Sequence, residues 1–154
     1  MKRINSNGKQ LTAKEYLQQI YHIKHRIDRL TSRRDDIRND MYSIGSPSGS
    51  MDADKVQTTM SGDSMLRMIA RVDETERDIV QTVERLMDMK DLITSQIEAL
   101  EDERYKTLLL KRYVLLEHWG QISDEMNYAI KWIYDLHGQA LCSFADKWGS
   151  ETGK

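Results

Sequence analysis

The sequence holds one cysteine, one proline and one phenylalanine in 154 residues, and aromatic residues make up only 7% of it. A single thiol excludes an internal disulfide framework. A single proline, Pro47, leaves long stretches free of the residue that interrupts helices most effectively. Few aromatics and few β-branched runs argue against a sheet core or a large globular interior. No apolar run approaches the roughly 18 residues needed to span a bilayer, and no early apolar run has the form of a secretory signal. A cytoplasmic protein without a membrane partner is expected.

Chemical apparatus is equally scarce. There is no phosphate-binding glycine loop and no zinc-ligand spacing. His22 and His25 stand three apart, a spacing that can hold a metal, but no third ligand is placed near them. His118 has no acid or nucleophile at a readable spacing. The acids Asp73, Glu74 and Glu76 fit the hydrated face of a long helix better than paired catalytic carboxylates. Neither an enzyme nor a cofactor or metal site is expected. Cys142, beside Leu141 and near Phe144, fits a small buried thiol.

What the chain does have is charge, 31% of all residues, and that charge is segregated. Residues 11–44 carry seven bases (Lys14, Lys24, Arg26, Arg29, Arg33, Arg34, Arg38) against five acids, while residues 64–103 carry five bases against eleven acids. The two stretches are electrostatic complements.

Each also has the periodicity of a long helix. Residues 1–10 fit a disordered basic tail. Thr12 with Glu15 forms a capping-box pattern, and Leu11 with Tyr16 occupies the hydrophobic-staple positions. From there Tyr16, Ile20, Ile23, Ile27, Leu30, Ile37, Met41 and Ile44 recur at spacings of three and four, with Arg34 the one break. Residues 45–63, rich in Gly, Ser, Thr and Asp, fit a mobile connection, with Asp63 as a cap for the next helix. Met65, Ile69, Val72, Ile79, Val83, Leu86, Ile93, Ile97 and Leu100 then repeat the spacing, interrupted by Glu76 and Lys90. An antiparallel coiled-coil hairpin over 11–103 is expected, with Arg34 facing Glu76 or Asp73. An intermolecular coiled coil has the same periodicity, and homo-oligomerisation is expected in either case.

After Leu100 the apolar residues become too dense for a seam: Tyr105, Leu108, Leu109, Leu110, Tyr113, Val114, Leu115 and Leu116. A compact domain over 104–148 is expected, capped at Asp102 and followed by a tail over 149–154. Within it, residues 119–141 match a helix-turn-helix numbered from Trp119. Ile122 is the fourth residue and faces inward; Ser123, the fifth, is small enough for two helices to cross closely; Met126 is the eighth. Asn127, the ninth, tolerates the left-handed backbone of the turn, and Ile133 and Leu136 hold the second helix on the first. The fold class is all-α.

The run LLLKRY, the W-x-x-I-S-x-x-M helix and the I-x-x-L-H-x-x-A-L tail, over roughly residues 105–144, resemble the DNA-binding region four of bacterial sigma factors. The closer likeness is to phage-encoded transcriptional regulators of the ArpU and RinA type. That resemblance implies a supporting helix over 118–126 and a recognition helix over 129–144. It implies that Ala129, Ile130, Lys131, Tyr134 and Asp135 face the major groove. Trp132 is expected at the same DNA interface, and His137 either contacts phosphate there or caps the packing. Trp119, Ile122, Met126, Ile133, Leu136, Ala140 and Leu141 would hold the fold. The chain departs from the family where Trp132, Tyr134 and Ala129 stand in place of arginines and a threonine. Residues 104–148 carry only six bases (Arg104, Lys106, Lys111, Arg112, Lys131, Lys147) against five acids (Glu117, Asp124, Glu125, Asp135, Asp146). Such a weakly basic module needs a second copy, or a partner already on DNA, because phosphate neutralisation dominates affinity.

Double-stranded DNA is thus the expected partner, bound by a phage or prophage regulator that oligomerises through its coiled coil. In a second reading Ile130, Trp132 and Tyr134 dock RNA polymerase or another protein. A third joins the same elements in a packaging protein of the small-terminase kind.

Overall fold

The computed structural model of the chain describes residues 11–45 and 62–149, and among these it is all-helical, without a strand. The expected tail 1–10, most of the expected connection and the residues from 150 onward lie outside the described residues. Gly45, Gly62 and Asp63 are helical. No helix of the described residues is long and apolar enough to cross a membrane.

The capping box forms as its residues dictate. The Glu15 amide donates to Thr12 Oγ1 at 3.2 Å, and the Thr12 amide donates to Glu15 Oε2 at 2.8 Å. Helix α1 (Ala13–Leu17) starts there, and α2 (Gln19–Gly45) follows after Gln18. Helix α3 (Gly62–Glu98) carries Asp63 inside its first turn instead of ahead of it. Asp102 caps α4 (Glu103–Leu109), accepting from the Arg104 amide at 2.9 Å. A π-helical turn, Leu110–Val114, continues α4 and ends at Leu116, whose φ of 59° is left-handed. Helices α5 (Trp119–Met126) and α6 (Ile130–Gly149) complete the chain.

Contacts group these elements into two compact units, one of residues 11–23 with 85–149 and the other of residues 24–45 with 62–84. The division expected near residue 103 is not where the contacts divide, because the ends of the long helices pack with the C-terminal helices.

In the first unit, Tyr16, Leu17 and Ile20 bury against Ile93, Ile97, Leu100, Ala140 and Phe144. Tyr16 stacks on Phe144 with ring centroids 6.1 Å apart, and its hydroxyl donates to Gln96 Oε1 at 3.0 Å. The last turns of α3 and α6 clasp each other. Trp148 Nε1 donates to the Gln96 carbonyl at 3.1 Å, and Lys147 Nζ donates to that of Ala99. A second cluster gathers Leu108, Ile122, Ile133 and Leu136, all fully buried, where α4, α5 and α6 meet.

In the second unit the apolar pattern is not the expected one. Ile69 and Val83, expected inside, are exposed, while Thr75 and Thr82 are buried with Val72. The covered positions of α3 run Val72, Thr75, Ile79, Thr82, a three-four spacing that passes through threonines. Each hydroxyl is satisfied within the helix: Thr75 Oγ1 donates to the Arg71 carbonyl at 2.7 Å, and Thr82 Oγ1 to that of Asp78 at 2.6 Å. That leaves the methyl group for packing. Arg34 does not meet an acid of α3. Its Nε and Nη2 donate to neighbouring Asp35 Oδ1 at 2.9 and 2.8 Å, and Arg38, one turn on, pairs with Glu76.

Ile93→Asp should cost on the order of 4 kcal/mol, because a carboxylate is then buried without a partner, while half-covered Ile27→Asp should cost about 1–2 kcal/mol. Thr82→Val should raise stability by up to about 1 kcal/mol, since the Asp78 carbonyl keeps its own helical bond and no polar group is orphaned. Chemical denaturation of the three variants measures the order.

Candidate functional site

The turn between α5 and α6 is built from Ser123 through Ala129. Asn127 adopts φ 56° and ψ 40°, the left-handed conformation its short amide side chain tolerates. Around it the Tyr128 amide reaches the Ser123 carbonyl at 3.1 Å and the Asn127 amide reaches that of Asp124 at 3.3 Å. These two bonds form a Schellman motif and satisfy carbonyls that the end of α5 would otherwise leave open. Ser123 does more than leave room for a close crossing: its hydroxyl donates to the Tyr128 carbonyl at 2.5 Å and fixes the chain leaving the turn. The Ala129 carbonyl accepts from the Ile133 amide at 3.1 Å, and α6 begins.

Helix α6 buries Ile133, Leu136, Ala140 and Phe144 on one face. The sequence-derived site residues divide around the rest of its circumference. At 100° per residue, Lys131, Asp135, Gly138 and Cys142 form the ridge opposite the buried face. All four are exposed. Cys142 is therefore not the buried thiol expected, because the core face is carried by Ala140, Leu141 and Phe144 and Cys142 falls outside it. Ile130 and Tyr134, 45% and 49% exposed, flank the ridge on one side. Trp132 lies on the other, about 160° from Tyr134 around the helix axis, with its ring 6.4 Å from Tyr128. Ala129 is exposed ahead of α6. A shallow groove bordered by Tyr105, Tyr134, Asp135 and Cys142 runs along the ridge.

His137 does not join this surface. Its Nε2 lies 2.8 Å from Tyr113 Oη, and its ring packs 4.8 Å from Trp119, which also meets the Tyr134 ring at 5.2 Å. Burial, reinforced by the positive charges of Lys14 and Arg112, pulls its pKa down to about 4. A neutral, half-buried imidazole fits the packing role, one of the two expected for it, better than a phosphate contact. Burial also pushes Tyr113 up to about 12, so its hydroxyl keeps its proton.

The cations near the site are mostly engaged within the chain. Arg112 lies 4.5 Å above the Trp119 ring and donates through Nη1 to the Glu117 carbonyl at 2.9 Å. Lys111 bonds to Glu125 and approaches Glu117 Oε2 at 3.5 Å, giving that buried oxygen a compensating charge though no hydrogen bond. The Lys111 bond holds the Glu125 carboxyl below its ordinary range. Arg104 pairs with Asp102 and lowers its pKa, Lys106 pairs with Glu103, and Lys147 reaches the Ala99 carbonyl. Among the described residues Lys131 has no ion pair, and it stands on the outer ridge of α6. The missed residue is Arg112, which stacks on Trp119 at the start of α5 and whose only sequence signal was a cation seven residues before an aromatic.

Compared with protein-family models, with curated proteins and with solved structures, the chain matches none.

Asn127→Gly should leave stability within a few tenths of a kcal/mol or raise it, while Asn127→Val should lower it by about 1–2 kcal/mol through a β-branched side chain in the left-handed region. Far-UV melting separates them. His137 binds its proton less readily folded than unfolded, so its contribution to stability is full above about pH 6.5 and is lost as pH falls toward 4. Melting midpoints between pH 7.5 and 5 should fall more steeply for the parent than for His137→Asn.

Proposed function

We propose that the chain is a DNA-binding transcriptional regulator, phage or prophage encoded and of the sigma-region-four-like ArpU and RinA kind. In this reading α5 and α6 form the helix-turn-helix and α6 enters the major groove. The observation that carries it is the junction at Asn127: a left-handed turn closed by a Schellman motif locks α5 against α6, while the outer ridge of α6 stays uncovered. Lys131 serves a phosphate, Asp135 and Tyr134 lie where base edges pass, and Ala129 and Ile130 bound the approach. The long helices α2 and α3 act as an antiparallel coiled-coil hairpin that brings copies together. Pairing is essential to this function, because one free cation per module among the described residues neutralises too little phosphate for a single copy to hold DNA.

The internal engagement of Lys111, Arg112, Arg104 and Lys106 favours a second reading, in which the Ile130 and Tyr134 flank docks RNA polymerase. Trp132 would not share that surface, since it lies around the helix from Tyr134.

Selection of bound fragments from random and phage-genome DNA should yield a cognate site for the purified protein. On it, Lys131→Ala should lower affinity across sequences and reduce the salt slope by about one, and Tyr134→Ala should cost roughly 1–3 kcal/mol with relaxed specificity at one position. Parent-like binding by both variants, together with loss of polymerase association in Tyr134→Ala, would replace the first reading with the second.

A further inference from the structure

Helix α3 carries two apolar seams, and only one of them is covered. The first runs through Val72, Thr75, Ile79 and Thr82. One residue further round, Leu66, Ile69, Asp73, Glu76, Val80 and Val83 repeat the same three-four spacing. Its four apolar members are exposed: Leu66 65%, Ile69 42%, Val80 57% and Val83 36%. Two adjacent seams on one helix are the pattern of a bundle in which that helix has two neighbours.

We infer that this second seam is a self-association surface, on which α3 of one copy packs antiparallel against α3 of another about a two-fold axis. The occupant follows from the order of residues. In an antiparallel pair centred between Glu74 and Thr75, Leu66 meets the other copy's Val83, and Ile69 meets its Val80. Asp73 meets Glu76. Every apolar residue therefore faces an apolar one, and the acids fall together at the axis. A two-fold interface requires such self-complementarity, which an unrelated partner would not impose.

The central acids would repel without compensation, and the same surface supplies it. Arg38 on α2 is bonded to Glu76 and shares a cleft with Ile69 and Asp73. Arg77 borders the surface formed by Asp73, Glu76 and Val80, has no ion pair among the described residues, and lies within about one residue of the other copy's Asp73 in this register. Each copy thus brings Asp73 and Glu76 with Arg38 and Arg77, two acids and two cations, so the centre is neutral. Polar central layers of this kind set register at some cost in affinity. The apolar seam spans about 26 Å at 1.5 Å per residue, so the pair should dissociate in the micromolar range.

The inference rests on the proposed function only for the need of a second copy, and it is tested without DNA, so failure of one leaves the other readable. Sedimentation equilibrium of the full chain up to about 100 μM should give about 36 kDa, twice the 18.0 kDa of one copy. Ile69→Asp and Val80→Asp should each weaken association at least about 100-fold with unchanged helical circular dichroism, since both positions are exposed within a copy. Asp73→Leu should strengthen it. Register is read by oxidation in a Cys142→Ser background. A mixture of Ile69→Cys and Val80→Cys chains should cross-link, but neither alone, because identical positions would stand about 16 Å apart along the axis, beyond disulfide reach. A monomer at every concentration, a dimer indifferent to both aspartates, or cross-linking by either single chain alone would overturn the proposal.

Discussion

Helix α6 buries one face against two different sets of residues, and the position of everything around it depends on that division. Its first half places Ile133 and Leu136 against Leu108 and Ile122. Its second half places Ala140 and Phe144 against Ile97 and Leu100 at the end of α3 and against Tyr16 of α1, more than 120 residues away in sequence. Neither set alone would hold a 20-residue helix at a defined rotation, since a few buried side chains contribute only about 1.5–3 kcal/mol each before the cost of ordering them. Together they leave one ridge facing outward. The exposure of Lys131 and Asp135 is thus a consequence of packing over the length of the helix, not of the turn alone.

Where a local rule governs, the sequence was readable. The Thr12 and Glu15 box, the Asp102 cap, the left-handed Asn127 and the inward Ile122, Ile133 and Leu136 each follow from one residue or one spacing. Where the outcome depends on which face a neighbour covers, it was not. Ile69 and Val83 look like better core residues than Thr75 and Thr82, yet the threonines are buried because their hydroxyls are satisfied by carbonyls one turn back. The π-helical turn at Leu110–Val114 left no mark in the sequence LKRYV, whose apolar residues fit an ordinary helix equally well. His137 shares the exposed helix's periodicity but turns into Tyr113, and Cys142 sits in an apolar run yet faces out. Hydropathy ranks residues, while rotation of the helix decides among them.

Electrostatics divides the molecule's cations by task. Around α5 they brace structure: Arg112 on Trp119, Lys111 between Glu117 and Glu125. Such pairs are individually modest at exposed positions. In the proposed DNA-binding role, a cation satisfied within the chain would have to be released before it could serve a phosphate.

The clasp between α3 and α6 has a dynamic corollary. A helix ordinarily loses its last turn first, because its final carbonyls have only water to bond. Here the Gln96 and Ala99 carbonyls, at the end of α3, are held by Trp148 and Lys147 at the end of α6. The end of α6 caps the end of α3, and fraying of either would break the same two bonds. Amide protons in the two last turns should exchange with solvent as a single cooperative unit, although some fifty residues of chain lie between them.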